Sequence, residues 1–354
     1  MNRLEVFLFI LLACPAFAAG QSAFKKQYSE SVSRYDTSQP TENKDTNDDN
    51  EIVRVETDLV TIPVRVTTKG GRPVPDIKQS EFKIFEDGVE QEVAFFGTND
   101  APFTVALLLD MSYSAIFKLP EIQAAAKQFV AQLKPNDKVM VVSFDEKVRI
   151  LCDVTDNRKA LRYAIEGARI GSGTSVYDAV DTVINNKFQK LPGRKAIVLL
   201  SDGVDTTSKL SSLKGILGDV NETDLLIYPI QYDTFDDVQN NRRKDAEIRY
   251  DDDDRPYVVD TPRGKGERDE DYADAREFLL EMAERTGGRV QRVNTSTNLA
   301  TAFARIADEL RKTYSLGYYP TSERKAGGKY LRVRVYRPDL AVRARETYLK
   351  PVVK

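Results

Sequence analysis

Three stretches of this chain are apolar without alternation: Val105-Ala-Leu-Leu-Leu109, Ala196-Ile-Val-Leu-Leu200 and Leu225-Leu-Ile-Tyr-Pro-Ile230. Continuous runs of this kind suit strands buried on both faces, as in a parallel sheet covered by helices. Apolar positions at helical spacing separate them. An amphipathic helix is expected over 123–133, begun by Pro120 and Glu121, with others over 158–166, 176–188, 275–285 and 299–312; the fourth is closed by Gly287 and Gly288. Segments 138–144 and 147–151 read as two strands joined by a tight turn, and 289–293 as an edge strand. From about 102 to 319 the order is therefore β-α-β-β-α-α-β-α-β-α-β-α. That alternation predicts an α/β domain with a mostly parallel sheet and helices on both faces.

Toward both ends the period changes to two. Residues 59–66 alternate, Gly70-Gly71 makes a turn, and 82–85 leads through Glu86-Asp87-Gly88 into 91–96, which reads as a meander of short antiparallel strands. Alternation returns at 330–336 and 341–345, on either side of a Pro338-Asp339 turn. Neither end holds strands enough for its own core, so the two are expected to pair into one small β-sandwich. The expected organisation is a leader at 1–18, a tether at 19–50, an N-terminal β subdomain at 51–100, the α/β domain at 101–320, and strands completing the β subdomain at 321–354.

Two segments do not fit either period. Residues 21–50 are rich in Ser, Thr, Asn, Asp and Gln, a composition expected to stay disordered. Within 235–272 the pattern breaks into charge of both signs, with Arg242-Arg-Lys244 and Asp251-Asp-Asp-Asp254. It reads as a solvated insertion, because no Asp-x-Asp-x-Asp-Gly loop is present; a calcium site or a partner-specific loop is the alternative.

The amino terminus adds a location. Arg3 precedes an apolar segment at 6–13, and Ala16-Phe-Ala18 has the small-x-small form of a signal-peptidase site, so cleavage near Ala18 is expected. The protein is then secreted, periplasmic or held at the cell surface. Leu11-Leu-Ala-Cys14 also resembles a lipobox, and lipid on Cys14 would be the one route to a membrane. With Cys14 removed, Cys152 has no partner for an internal disulfide and reads as a small buried residue near the end of a strand at 148–151.

Composition excludes more than it proposes. The 354 residues are 41% apolar, enough for a sizeable core, and the net charge of -3 carries no nucleic-acid footprint. With no histidine anywhere, imidazole general-base chemistry, Ser-His-Asp triads and histidine-ligated zinc are all unavailable. There is no Gly-x-x-x-x-Gly-Lys-Ser/Thr loop, and the turn at 171–173 fails the dinucleotide pattern because Val176 holds its third glycine position, so no nucleotide site is expected.

What remains is a set of oxygen donors. Asp110-Met-Ser112-Tyr-Ser114 closes the first apolar run, at the carboxyl edge where open α/β sheets bind ligands. Gly171-Ser-Gly-Thr174-Ser175 leads into the helix at 176, and Ser201-Asp202-Gly203 follows the second run. Taken singly, Ser112 or Thr174 reads as a helix N-cap and Asp202-Gly203 as a turn. Taken together, Asp110, Ser112, Ser114, Thr174 and Asp202 are five hard oxygen donors on three loops. Such a set favours Mg²⁺ or Mn²⁺ over zinc or copper.

These three motifs, in this order, resemble the metal-ion-dependent adhesion site of von Willebrand factor A domains. The span 53–354, including Glu86-Asp-Gly88 and Tyr314-Ser-Leu-Gly-Tyr-Tyr319, resembles the secreted bacterial von Willebrand A-related proteins of acidobacteria. The resemblance implies a Rossmann-like α/β fold of the von Willebrand A type and a non-enzymatic adhesion module. It further implies that Ser112, Ser114 and Thr174 offer hydroxyls to the metal while Asp110 and Asp202 act directly or through water. The partner would be a protein presenting Asp or Glu to the metal, and exchange of ligands can be coupled in that family to movement of the last helix, here 299–312. Two other classes stay open: a scaffold of the cell envelope whose site exchanges no ligand, and a metal-dependent hydrolase.

Overall fold

The computed structural model describes residues 59–98, 101–232, 234–236, 238–239, 248–250, 256–258, 264–293, 296–320 and 328–348. The expected leader, the tether with Cys14, and the stretches 240–247, 251–255 and 259–263 of the charged insertion lie outside the described residues. In chain order the strands are β1 (Val60–Thr68), β2 (Phe82–Glu86), β3 (Val89–Gln91), β4 (Phe95–Gly97), β5 (Phe103–Asp110), β6 (Lys138–Phe144), β7 (Val148–Thr155), β8 (Arg194–Ser201), β9 (Leu226–Tyr232), β10 (Ile248–Tyr250), β11 (Pro256–Val258), β12 (Gln291–Val293), β13 (Thr313–Tyr318), β14 (Lys329–Val335), β15 (Leu340–Arg343) and β16 (Thr347–Tyr348). The α-helices are α1 (Leu119–Gln132), α2 (Arg158–Gly167), α3 (Val176–Asp181), α4 (Leu213–Glu222), α5 (Asp269–Thr286) and α6 (Ser296–Arg311).

The largest sheet has the order β12-β9-β8-β5-β6-β7, parallel throughout except for β7, which runs against β6. Its central strand explains why the run at 105–109 does not alternate. Val105, Leu107 and Leu109 pack with residues of α1, α2 and α6, whereas Ala106 and Leu108 pack with α3, α4 and α5. All five are fully buried. Burying each leucine contributes about 2 kcal/mol of hydrophobic free energy, and polar residues on either face would forfeit it.

The winding of this sheet creates the site. From β5 the chain moves to β6 and β7 on one side, then returns across the sheet to β8 on the other side of β5 and continues to β9 and β12. The direction reverses between β5 and β8, and helices leave the two strand ends toward opposite faces. A crevice therefore opens beyond their carboxyl ends.

Two helices differ from the sequence expectation. The segment 176–188 is α-helical only to Asp181 and continues as a π-helix over Thr182–Phe188, with the Thr182 hydroxyl donating to the Asp178 carbonyl at 2.7 Å. α5 begins at Asp269 rather than near 275, so the end of the expected insertion is helix. Asp269, Glu270 and Asp271 occupy its first turn, where the helix dipole favours negative charge, and the Asp271 carboxylate accepts the Gly266 N–H at 2.8 Å. Cys152 is also placed differently. It is half-buried within β7, which runs on to Thr155, and burial followed by the Asp153 charge raises its pKa.

The terminal strands form two four-stranded sheets, β15-β1-β13-β4 and β16-β14-β2-β3. Of the expected N-terminal meander only the β2–β3 hairpin forms: β1 pairs instead with β13 and β15, and the other edge of β2 pairs with β14. The reason is burial. Ile62, Val64 and Val66 of β1 face Phe82 and Ile84 of β2 across a shared core, which requires the two strands to lie in different sheets. β13, expected at the end of the α/β domain, is an inner strand of the first of these sheets. Its Tyr314 stacks on Phe96 at 5.9 Å and meets Phe82 edge-on at 5.2 Å. The Tyr314 hydroxyl accepts the Ile77 N–H at 2.9 Å and donates to the Val74 carbonyl at 2.8 Å.

Candidate metal centre

Asp110 is the last residue of β5 and Asp202 the first beyond β8, and these strands are neighbours. Two carboxylates on adjacent strand ends thus enter one crevice. Both are buried, Asp110 completely and Asp202 to 4% exposure.

Their lone pairs are held in order. Asp110 Oδ1 accepts the Ser112 N–H at 2.9 Å, its Oδ2 accepts the Ser201 hydroxyl at 2.6 Å, and the Ser112 hydroxyl bonds it as well. Ser201 in turn accepts the Gly203 N–H at 2.9 Å, fixing which way its own proton points. Asp202 Oδ1 accepts the Val204 N–H at 3.0 Å and its Oδ2 accepts the Thr234 hydroxyl at 2.6 Å; Thr234 also meets the Tyr272 hydroxyl at 3.1 Å. Burial, and then the charge of Asp202, push the Asp110 carboxyl up to about 7 against the pull of its hydrogen bonds.

Backbone hydrogen bonds bring the third loop in. Gly171 N–H donates to the Met111 carbonyl at 2.8 Å, and Thr206 and Thr207 N–H donate to the Thr174 carbonyl at 2.8 and 3.0 Å. Gly171 permits that approach, since a β-carbon there would lie 2.0 Å from the Asp145 carboxylate. The loop after Asp202 is pinned by Asp178, whose carboxylate accepts the N–H groups of Lys209, Leu210 and Ser211. Gly203 adopts φ 86°, the left-handed turn that leads the chain away from the crevice.

The hydroxyls are not spent as helix caps. Ser112 sits at the N-cap position of the 3-10 turn Tyr113–Lys118 but makes no side-chain cap bond, and Thr174 precedes the N-cap residue Ser175. Among the described residues the Thr174 hydroxyl makes no hydrogen bond, although the residue is only 7% exposed. Ser114 lies in the same turn as Tyr113, and its side chain lies outside the described residues. Tyr113 stands at the rim, 62% exposed.

Three neighbours of the site escaped the sequence reading. Ser201 was visible in its motif without a role, because only the β5–β8 pairing turns it toward Asp110. Thr234 and Tyr232 follow from β9 lying beside β8, which no local pattern announces. Tyr232 ends β9 and is 5% exposed; its hydroxyl is buried and, among the described residues, has no hydrogen-bond partner, and the Lys118 ammonium lies 5.4 Å from its ring centroid. Burial and then the charges of Asp110 and Asp202 raise its pKa well above that of an ordinary tyrosine.

Among the described residues no three His, Cys, Asp or Glu side chains cluster as a metal site. The set here is of another kind, with two acids and the remaining donors hydroxyl. Two carboxylates balance a divalent charge, hard oxygen suits Mg²⁺ or Mn²⁺, and the Tyr232 hydroxyl, buried without a partner among the described residues, lies at the end of the strand beside β8. The residues present fit such a cation.

Residues 105–204 match the family model described as von Willebrand factor type A domain, and the mostly parallel sheet with helices on both faces is a fold of that type. A UPF0353 protein of Mycolicibacterium vanbaalenii is 32% identical over 118 residues, covering 29% of this chain and 35% of that protein, so the chain spans about a third of the length of the curated relative it matches. Among solved structures, a von Willebrand factor type A protein from Catenulispora acidiphila is 10% identical over 84% of this chain and 74% of its own, with a TM-score of 0.43. The vWF domain of the type V pili tip protein Mfa5 from Porphyromonas gingivalis is 14% identical, covering 59% of this chain and 94% of its own, also with a TM-score of 0.43.

Proposed function

We propose that this chain is a secreted or surface-tethered, non-enzymatic binding module. Asp110, Ser112, Ser114, Thr174 and Asp202 would hold Mg²⁺ or Mn²⁺, and the partner would be a protein offering an Asp or Glu carboxylate. The observation that carries the reading is the buried pair Asp110 and Asp202 on adjacent strand ends, surrounded by hydroxyls at the crevice of the sheet. When bound, the cation supplies a hard, oxygen-seeking position for an incoming carboxylate. Because the protein's own acids number two, a further acid from outside adds to a site without excess negative charge.

The chain's residues divide the work. Ser201 and Thr234 orient the two carboxylates through their hydroxyls. Thr174 keeps its hydroxyl for the ligand sphere, and Tyr113 offers an exposed ring to whatever docks. The neighbouring acids are committed elsewhere, which favours a binder over a hydrolase. Asp145 pairs with Arg149 at 2.7 Å, Asp205 with Lys265 at 3.3 Å, and Asp178 accepts three amides. Beyond the two acids assigned to the cation, each of these three carboxylates already has a partner of its own. The leader at 1–18, or lipid on Cys14, accounts for the location.

Calorimetric titration with MgCl₂ and MnCl₂, followed by capture from envelope extract in Mg²⁺ or chelator, tests the reading. The native chain should bind the cation and retain a partner only in its presence, and a Thr174→Ala, Asp202→Ala chain should do neither. Equal capture by both chains ends the adhesion reading. Cation binding without any metal-dependent capture favours an envelope scaffold.

A further inference from the structure

The hydroxyl of Tyr232 poses a problem that the five ligands do not solve. It is buried and has no hydrogen-bond partner among the described residues, and leaving a polar group so placed costs about 1 to 3 kcal/mol. Its surroundings are the opposite of inert. β9 pairs with β8 up to Gln231 and Ser201, so Tyr232 ends its strand beside the point where Asp202 leaves β8, and its hydroxyl bonds neither Asp202 nor Asp110. The lone pairs of those acids that are satisfied are satisfied by others: Ser112 and Ser201 at Asp110, Val204 and Thr234 at Asp202. A buried phenol donor thus stands at the strand end next to that of Asp202, with the Lys118 ammonium 5.4 Å from its ring centroid.

We propose that Tyr232 is a positioning residue of the metal centre, its hydroxyl donating to a water that would lie between the phenol and the carboxylates of Asp110 and Asp202 when the site is filled. This rests on the metal reading given above. A bridging water makes the buried phenol satisfied only in the loaded protein. Outer partners of this kind orient the ligands they touch, and losing one typically weakens metal binding about tenfold or more. β9 then contributes to the site without supplying a ligand: Thr234 aligns Asp202 and Tyr232 anchors the water.

The test uses the full chain and Mn²⁺ or Mg²⁺ alone, with no partner protein. Tyr232→Phe keeps the ring and removes only the hydroxyl. Cation affinity by calorimetry should fall about tenfold, while the melting temperature in chelator stays equal to the native value or rises, since the variant no longer buries an unpaired hydroxyl. Tyr228→Phe serves as a control. Tyr228 is also buried on β9, four residues earlier, and hydrogen-bonds Thr313; its loss should leave cation affinity unchanged. A Tyr232→Phe chain that binds cation as tightly as the native one overturns the proposal and leaves the metal centre standing. A drop in affinity of the same size in both variants also overturns it, because the effect is then one of packing. A native chain that binds no cation removes the metal centre itself, and the proposal with it.

Discussion

Replacing Asp110 by Asn should stabilise the metal-free protein at alkaline pH. Burial and the neighbouring Asp202 raise the Asp110 carboxyl from 3.8 to about 7 in the folded chain. Folding therefore favours the protonated form, so the native state binds more protons than the unfolded one between these values, and stability falls as pH rises through that window. Above pH 7 the full penalty is present, up to about 4 kcal/mol; below 3.8 it vanishes. Asn suits the same pocket, its amide oxygen taking the Ser112 N–H and its amide nitrogen donating to Ser201 Oγ. Scanning calorimetry in chelator should find Asp110→Asn more stable than native at pH 8 by several degrees, at about 2 to 4 °C per kcal/mol, and level with it near pH 4. Mg²⁺ at a hundred times its dissociation constant should then add about 2.7 kcal/mol to the native chain and nothing to the variant. A variant less stable than native at pH 8 in chelator, or an equal gain from Mg²⁺ in both chains, refutes the reasoning.

Other substitutions test other parts. Gly203→Ala forces a side chain onto φ 86° with its β-carbon 2.8 Å from Leu279 Cγ, and should cost roughly 2 to 4 kcal/mol by thermal melting; a neutral result would mean the turn after Asp202 is not built as described. Arg65→Ala removes the partner of Glu309 in a pair whose side chains are 9% and 13% exposed, and should cost roughly 3 to 5 kcal/mol in denaturant titration, whereas Arg65→Met with Glu309→Leu should cost little. Tyr314→Phe leaves the buried Ile77 N–H without its acceptor and should lower stability by about 1 to 3 kcal/mol, with cation affinity untouched.

The α/β sheet was legible because its strands carry a strong local signal. A run such as 105–109 has no polar position to spare for solvent, and only a strand covered on both faces uses it fully. The positions of the candidate donors were legible for the same reason, since Asp110 and Asp202 stand at strand ends and Thr174 just before a helix start, places that periodicity locates. What could not be read was pairing between distant segments. The alternation at 59–66 and 82–85 is the same whether β1 joins β2 or β13, and the choice falls to cross-sheet packing of Ile62 and Val64 on Phe82 and Ile84. Tyr232 and Thr234 were hidden for a related reason. Their role depends on β9 lying next to β8, a fact of sheet order and not of local sequence.

The position of β13 bears on how the site communicates. α6 ends at Arg311 and β13 begins at Thr313, so a single residue separates the last helix from a strand paired on both sides. The helix end is tied further: Glu309 to Arg65, the carbonyls of Leu310 and Thr313 to Arg194, and Arg311 to the Gln132 carbonyl. If α6 were to slide and draw β13 by one residue, Tyr314, Leu316 and Tyr318 would pass from the sandwich core to its other face. That would break the hydrogen bonds of Tyr314 to Ile77 and Val74 and of Tyr318 to Glu86. Several buried polar groups would be stranded together, a cost well beyond the 1 to 3 kcal/mol typical of coupling between sites. The sandwich therefore holds the last helix in place, and under the binding reading proposed above the geometry of the crevice would be set before any partner arrives.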